Sequence, residues 1–117
     1  MSFSKFNLTK ANENSKPYSL KKVIAPRFFG SPSAPIKLVE YASLTCSHCA
    51  DFHIEKFTLI KEKFIDTGIL QFEFRDFPLD GIALRASAMA RLLDNEKYFK
   101  FIEILFKTQK RWTNSSD

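Results

Sequence analysis

The chain has 117 residues, of which 44% are apolar, with thirteen phenylalanines; that is one domain with material for a core, and it excludes disorder along the whole length. The formal net charge is +5 on scattered lysines, which argues for solvated helix faces and against a nucleic-acid or membrane-surface patch. No apolar run approaches the ~20 residues of a membrane helix.

Met1 to Ser19 is polar and lacks an apolar h-region, so no signal peptide is visible. A mature form with its leader replaced, a misplaced start and a cytosolic protein all fit this. Residues 1–22, rich in Ser, Asn and Lys, read as a flexible tail or linker. Lys22 to Phe29, with Pro26 inside it, predicts a short edge strand. Gly30-Ser31-Pro32-Ser33-Ala34-Pro35 is a loop. Ile36 to Ala42 is short, mostly apolar, and rich in β-branched and aromatic residues, which predicts a strand covered on both faces. Ser43 to Thr45 connects it to Cys46-Ser47-His48-Cys49.

From Cys49 to about Ile65 the pattern is helical, with Phe57, Ile60 and Phe64 on one face. Gly68 is the expected stop. Leu70, Phe72 and Phe74 then alternate with Gln71, Glu73 and Arg75, a strand signal, and Phe77 to Gly81 ends it. Ala83 to Leu93 is helical by propensity. Asp94-Asn95 breaks it before a second helix, Glu96 to Lys110, with Phe99, Ile102 and Phe106 on its inner face. Trp112 and a polar end follow. The order is strand, helix, strand and two helices, which predicts an α/β fold with a parallel crossover. Two or three strands are too few for a sheet buried between helices on both sides.

The chain's two cysteines stand three residues apart, and a bridge across so short a loop removes little entropy from the unfolded chain. Their value therefore lies in chemistry. At a strand-to-helix junction, Cys46 sits at the helix N-terminus, where free N–H groups and the helix dipole favour a thiolate. Cys49, a turn further in, is expected to be more buried and less acidic. Cys46 then forms the mixed disulfide and Cys49 resolves it. His48 can donate to the Cys46 thiolate or add positive charge beside it. Glu40, on the strand, is either a buried carboxyl carrying protons to and from Cys49 or an edge glutamate that stays in water.

Rival readings remain at this level. A zinc site is the sharper rival, since Cys46, Cys49, His48 and His53 fall within eight residues, although structural zinc usually joins two separated ligand pairs. A buried pair of small apolar residues is the plainest alternative. His53 alone reads as a packed or partly exposed helix residue. Arg75-Asp76 reads as a structural ion pair at a strand end, and Lys100, Lys107, Lys110 and Arg111 as a solvated helix face.

Gly30 to Pro35, Lys37-Leu38-Val39-Glu40-Tyr41 and Thr45-Cys46-Ser47-His48-Cys49-Ala50-Asp51-Phe52-His53 together resemble the bacterial DsbA-like thioredoxin family. The likeness continues through Phe72 to Leu79 and into the helices containing Ala86 to Ala90 and Tyr98 to Phe101, covering roughly residues 28–112. The resemblance implies a thioredoxin-like α/β fold with a helical insertion: a tail over 1–22, the N-terminal part of the thioredoxin-like domain with its CxxC site over 23–80, and insertion over 81–117. It implies a periplasmic or otherwise exported thiol–disulfide oxidoreductase that introduces or isomerises disulfide bonds in exported proteins. Cys46 is then the nucleophile, Cys49 the resolving cysteine, His48 their tuner and Glu40 the buried acid. It calls for no metal and no organic cofactor. The partners it implies are protein substrates with free thiols or disulfides and a membrane protein that reoxidises the pair, with no nucleic acid. Ser47 stands where the family more often has proline. The family's cis-proline loop, last strands and last helix have no counterpart, so the C-terminal part of the sheet is expected to be missing, and a catalytically weak fragment acting as an interaction module is the further alternative.

Overall fold

The computed structural model describes residues 19–113. Residues 1–18 of the expected tail and the polar end from Asn114 lie outside the described residues. Helix α1, Leu20–Ile24, occupies the last part of that span and the first part of the expected edge strand; the Ser19 side chain caps it by accepting from the Lys22 N–H. The strand itself, β1, is confined to Arg27–Phe29, just past Pro26.

Three strands form the sheet in the order β1, β3, β2, where β2 is Ile36–Ala42 and β3 is Leu70–Asp76. β1 runs antiparallel to β3, and β2 runs parallel to it, with Ile36 opposite Leu70 and Ala42 opposite Asp76. The parallel pair is joined through α2, residues 47–65. This helix alternates α-helical turns, Ser47–Asp51 and Thr58–Ile60, with wider π-helical turns, Phe52–Phe57 and Lys61–Ile65. Each π turn holds an extra residue and so rotates the buried face. Phe57 and Ile60 pack on the core as the periodicity predicts, but Phe64 is 43% exposed and Ile65 is buried in its place. Gly68, at φ +80, takes the left-handed conformation after the helix and sends its N–H to the Ile65 carbonyl.

Helix α3, Gly81–Arg91, is capped by Asp80, which accepts from the Ala83 N–H at 2.8 Å. Helix α4, Asn95–Lys107, is capped by Asp94. The helix expected to run on to Lys110 instead breaks at Thr108, and Trp112 lies in a short α5, Gln109–Thr113. Phe72 and Phe74 of β3 meet Tyr98, Phe99, Ile102 and Phe106 of α4, with Ala86 and Ala90 of α3 between, so the sheet and the helices share one core. Burying each of those phenylalanines stabilises the fold by roughly 1.5–3 kcal/mol. Arg91 ties the end of α1 to this core, donating to Asp76 at 2.7 Å and to the carbonyls of Val23 and Ala25.

Two expectations fail here. β2 is not covered on both faces: Leu38, Glu40 and Ala42 face the helices, but Val39 is 36% and Tyr41 61% exposed. β2 is an edge strand, and among the described residues the helices cover one side of it. Nor do Arg75 and Asp76 pair. Adjacent strand residues point to opposite faces, so Arg75 bonds Glu73 and Tyr41 while Asp76 bonds Arg91. The solvated face of α4 is as expected, with exposed Lys100–Glu96 and Lys107–Glu103 pairs one turn apart.

Candidate active site

The site begins where β2 ends. Leu44 is fully buried, and the loop that carries it is fastened from three sides. Its own Ser43 and Thr45 hydroxyls bond one another at 3.1 Å. Thr45 donates to Asp80 at 2.9 Å, the carboxylate that also caps α3. Gln109, buried at the start of α5, donates from Nε2 to the carbonyls of Leu44 and Cys46 at 2.9 and 3.0 Å. These bonds fix Cys46 as the N-cap of α2, in extended conformation, with the Ala50 N–H closing the first turn on its carbonyl.

Both cysteines are free thiols and partly buried. The Cys46 thiol is held below its ordinary value, chiefly by the backbone N–H of Cys49, helped by the Cys49 thiol and the His48 N–H, and opposed by burial and by Asp51. Cys49 moves the other way: burial first, then its bond and charge interaction with Cys46 and the charge of Glu40, push it up to about 11. Two thiols one helical turn apart are thus poised for different work. One ionises readily and faces the junction; the other keeps its proton.

Glu40 is the carboxyl beneath the pair. Its side chain is 15% exposed, so it is half-buried rather than standing in open water. It is also paired, which the sequence reading did not foresee: His53 Nε2 lies 2.6 Å from Glu40 Oε1. The His53 side chain is 4% exposed and stacks on the Phe106 ring at 4.4 Å. Cys49 and His53, four apart on α2, face the same way, and that spacing was the signal available for it. Nothing in the sequence marked Gln109, Thr45 or Asp80, whose partners are distant in the chain. The imidazole of His48 is exposed, and what reaches Cys46 from this residue is its backbone N–H. Among the described residues no three Cys, His, Asp or Glu side chains are grouped to hold a metal ion.

A family model described as thioredoxin matches residues 22–117. The solved structure of Wolbachia pipientis alpha-DsbA1 superposes with a TM-score of 0.73 at 43% identity, covering 80% of this chain and 49% of that one. A protein-disulfide isomerase from Novosphingobium aromaticivorans gives a TM-score of 0.74 at 27% identity over 79% of this chain and 49% of its own. Disulfide bond formation protein D of Bacillus subtilis is 31% identical over 84 residues, 68% of this chain and 38% of that protein. The chain spans about half the length of these solved relatives and 34% of a Rickettsia bellii relative that is 36% identical over 88 residues. The thioredoxin-like α/β fold with its helical insertion, and the two cysteines at the strand-to-helix junction, place this chain in the DsbA-like thioredoxin family.

Proposed function

We propose that the chain carries the active site of a thiol–disulfide oxidoreductase that introduces or isomerises disulfide bonds in exported proteins. The observation that carries this reading is the opposed acidity of two thiols on one helix turn, Cys46 lowered and Cys49 pushed up to about 11. When the pair is oxidised, a substrate thiolate attacks Cys46 Sγ and the departing electron pair leaves on Cys49. A second substrate thiolate then attacks the substrate sulfur of the mixed disulfide, and Cys46 departs as the stabilised thiolate. Cys49 instead reverses the first step when it attacks Cys46. Cys46 is the nucleophile, Cys49 resolves, Glu40 exchanges a proton with Cys49, and the His48 N–H steadies the Cys46 thiolate. A stabilised thiolate favours the dithiol and makes the disulfide the stronger oxidant.

In this reading the substrates are proteins with free thiols or disulfides, a membrane protein reoxidises the pair, and the protein works in the periplasm or another exported location. In this reading residues 23–80 belong to the N-terminal part of the thioredoxin-like domain and 81–117 to the helical insertion, with 114–117 outside the described residues. No helix among the described residues is long and apolar enough to cross a membrane. The test is the redox equilibrium of Cys46–Cys49 in graded glutathione buffers, read by alkylation and mass. A potential of roughly −120 to −200 mV is expected for an oxidase or isomerase. Full exchange activity in Cys46→Ser would defeat the proposal.

The exposure of Val39 and Tyr41 on the outer face of β2, 36% and 61%, favours a second reading: a catalytically weak chain acting as an interaction module. Circular dichroism and gel filtration separate the two, since a cooperatively melting monomer with a tuned potential supports the first.

A further inference from the structure

Away from the cysteines, a cluster of charged and polar side chains stands where β1, the end of β3, α3 and α4 meet: Arg27, Asp76, Arg91 and Tyr98. We infer that this cluster is a binding site for one internal water molecule, held by Arg27 Nε, Asp76 Oδ1 and Tyr98 Oη. Among the described residues these are the buried side-chain nitrogen and oxygen atoms that meet no hydrogen-bond partner, and all three fall in this cluster. Arg27 is 3% and Tyr98 0% exposed. The Arg27 guanidinium carbon lies 4.7 Å from the centre of the Tyr98 ring, and that of Arg91 lies 5.7 Å from it. The Asp76 carboxylate, held on Oδ2 by Arg91 Nε at 2.7 Å, stands close enough to the Tyr98 hydroxyl to act on its acidity.

The surrounding bonds hold these atoms in place. Both terminal nitrogens of Arg27 donate to carbonyls at the end of α3, to Leu93 at 2.7 Å and to Arg91 at 2.8 Å. Arg91 Nη1 donates to the carbonyls of Val23 and Ala25. Arg27 Nε therefore cannot turn to a new acceptor without giving up two bonds. Burial first, then the Asp76 charge, pushes the Tyr98 phenol well above its ordinary value against the two guanidiniums, so the hydroxyl keeps its proton. The chemistry of the ligand follows from what the three atoms can do. Arg27 Nε only donates, the Asp76 oxygen accepts, and Tyr98 Oη does either. Two guanidiniums repel a cation, and the carboxylate repels an anion. A ligand that meets all three is uncharged and small, and it both accepts and donates; water has those properties. It accepts from Arg27 Nε–H and Tyr98 O–H and donates to Asp76 Oδ1, which is about three bonds, the usual number for a buried water. Each of the three atoms is thereby spared the cost of a dry, unpaired state. Because Arg27 and Arg91 also reach α1 and the end of α3, the water sits at the joint between the sheet and the α3–α4 corner.

The test is the crystal structure of the reduced full chain at ambient temperature, with thermal melts of Tyr98→Phe beside the wild type. A density peak is expected within about 2.7–3.2 Å of Arg27 Nε, Tyr98 Oη and Asp76 Oδ1. Tyr98→Phe removes one of the water's bonds and leaves Arg27 Nε and Asp76 Oδ1 still joined through it, so Tm should fall by only about 4–8 °C. The rival is a dry arrangement in which Tyr98 itself accepts from Arg27 and donates to Asp76. Its loss then strands both partners, and Tm falls by more than about 8 °C. That larger fall, or density that brings Tyr98 Oη directly onto Asp76 with no peak between the three atoms, overturns the proposal. Relaxation dispersion of ¹⁷O water gives a second reading in solution: the wild-type chain should show a long-lived internal water, and its absence overturns the site whether or not crystals form.

Discussion

Replacing Gln109 by leucine removes the two bonds that hold the cysteine loop from α5. The consequences differ at the two carbonyls. Cys46 O keeps the Ala50 N–H at 3.1 Å, so it stays satisfied. Leu44 O accepts from Gln109 in a buried setting, and among the described residues no other backbone donor reaches it. Leaving a buried acceptor without a partner costs about 1–3 kcal/mol, against about 1 kcal/mol for a bond whose partners remain in water. The expected loss is therefore about 2 kcal/mol, which lowers Tm by roughly 8–16 °C in a chain of this size. The loop also carries the N-cap, so its loosening draws Cys46 away from the N–H groups of His48 and Cys49 that hold its thiol low. Urea unfolding of the reduced protein measures the first effect. The pH dependence of Cys46 alkylation measures the second, and its midpoint should move up toward an ordinary thiol. A loss below about 0.5 kcal/mol would refute the orphaned-carbonyl reasoning. A full loss with an unmoved alkylation midpoint would refute the link from Gln109 to the thiolate.

Gly30→Ala should destabilise by roughly 2 kcal/mol or more, because φ is +105 and a Cβ would lie 2.9 Å from both the Ile65 side chain and the Leu70 carbonyl; Gly68→Ala, at φ +80 in open space, should cost about 1 kcal/mol, and parallel thermal melts check the order. Phe106→Ala removes the ring stacked on His53 and a fully buried core side chain, with an expected loss of about 3–5 kcal/mol by denaturant unfolding. For pH, the reduced form should gain stability as pH rises from the depressed Cys46 value to the ordinary thiol value of 9.0, because there the unfolded chain holds a proton that the folded one has lost. From 9.0 to about 11 it should lose stability, because folded Cys49 keeps a proton that the unfolded chain releases. Urea midpoints of the dithiol and disulfide forms across that range give the comparison, and a disulfide form with the same two limbs would sink the assignment to the cysteines.

Local signals carried most of the fold. The strand Ile36–Ala42 and the alternation of Leu70, Phe72 and Phe74 were legible because each depends on its own residues and on a period of two. Likewise Phe99, Ile102 and Phe106 declared the inner face of α4. Failures came where structure depends on what lies elsewhere. Phe64 kept the helical period but lost its burial, because π turns in α2 rotate the face. Val39 and Tyr41 look like core residues, yet their exposure is set by which elements cover β2, and no window around them contains that information. α1 escaped notice because five residues, Leu20–Ile24, leave too short a period to read, and Pro26 beyond them suggested an edge strand.

The same distinction divides the site. The cysteines and the carboxyl stand out in the sequence because a junction and a strand position mark them. What holds the cysteine loop in place is long-range: Gln109 reaches back 65 residues to Leu44, and Thr45 reaches 35 forward to Asp80. Asp80 serves two structures at once, capping α3 and holding the cysteine loop, so the helical segment and the cysteine loop are registered by one carboxylate. Gln109 does the same for α5. The helices over 81–113 are therefore not only a cover for the core. Through these two side chains they set where Cys46 stands relative to the first turn of α2, and hence how well its thiolate is held.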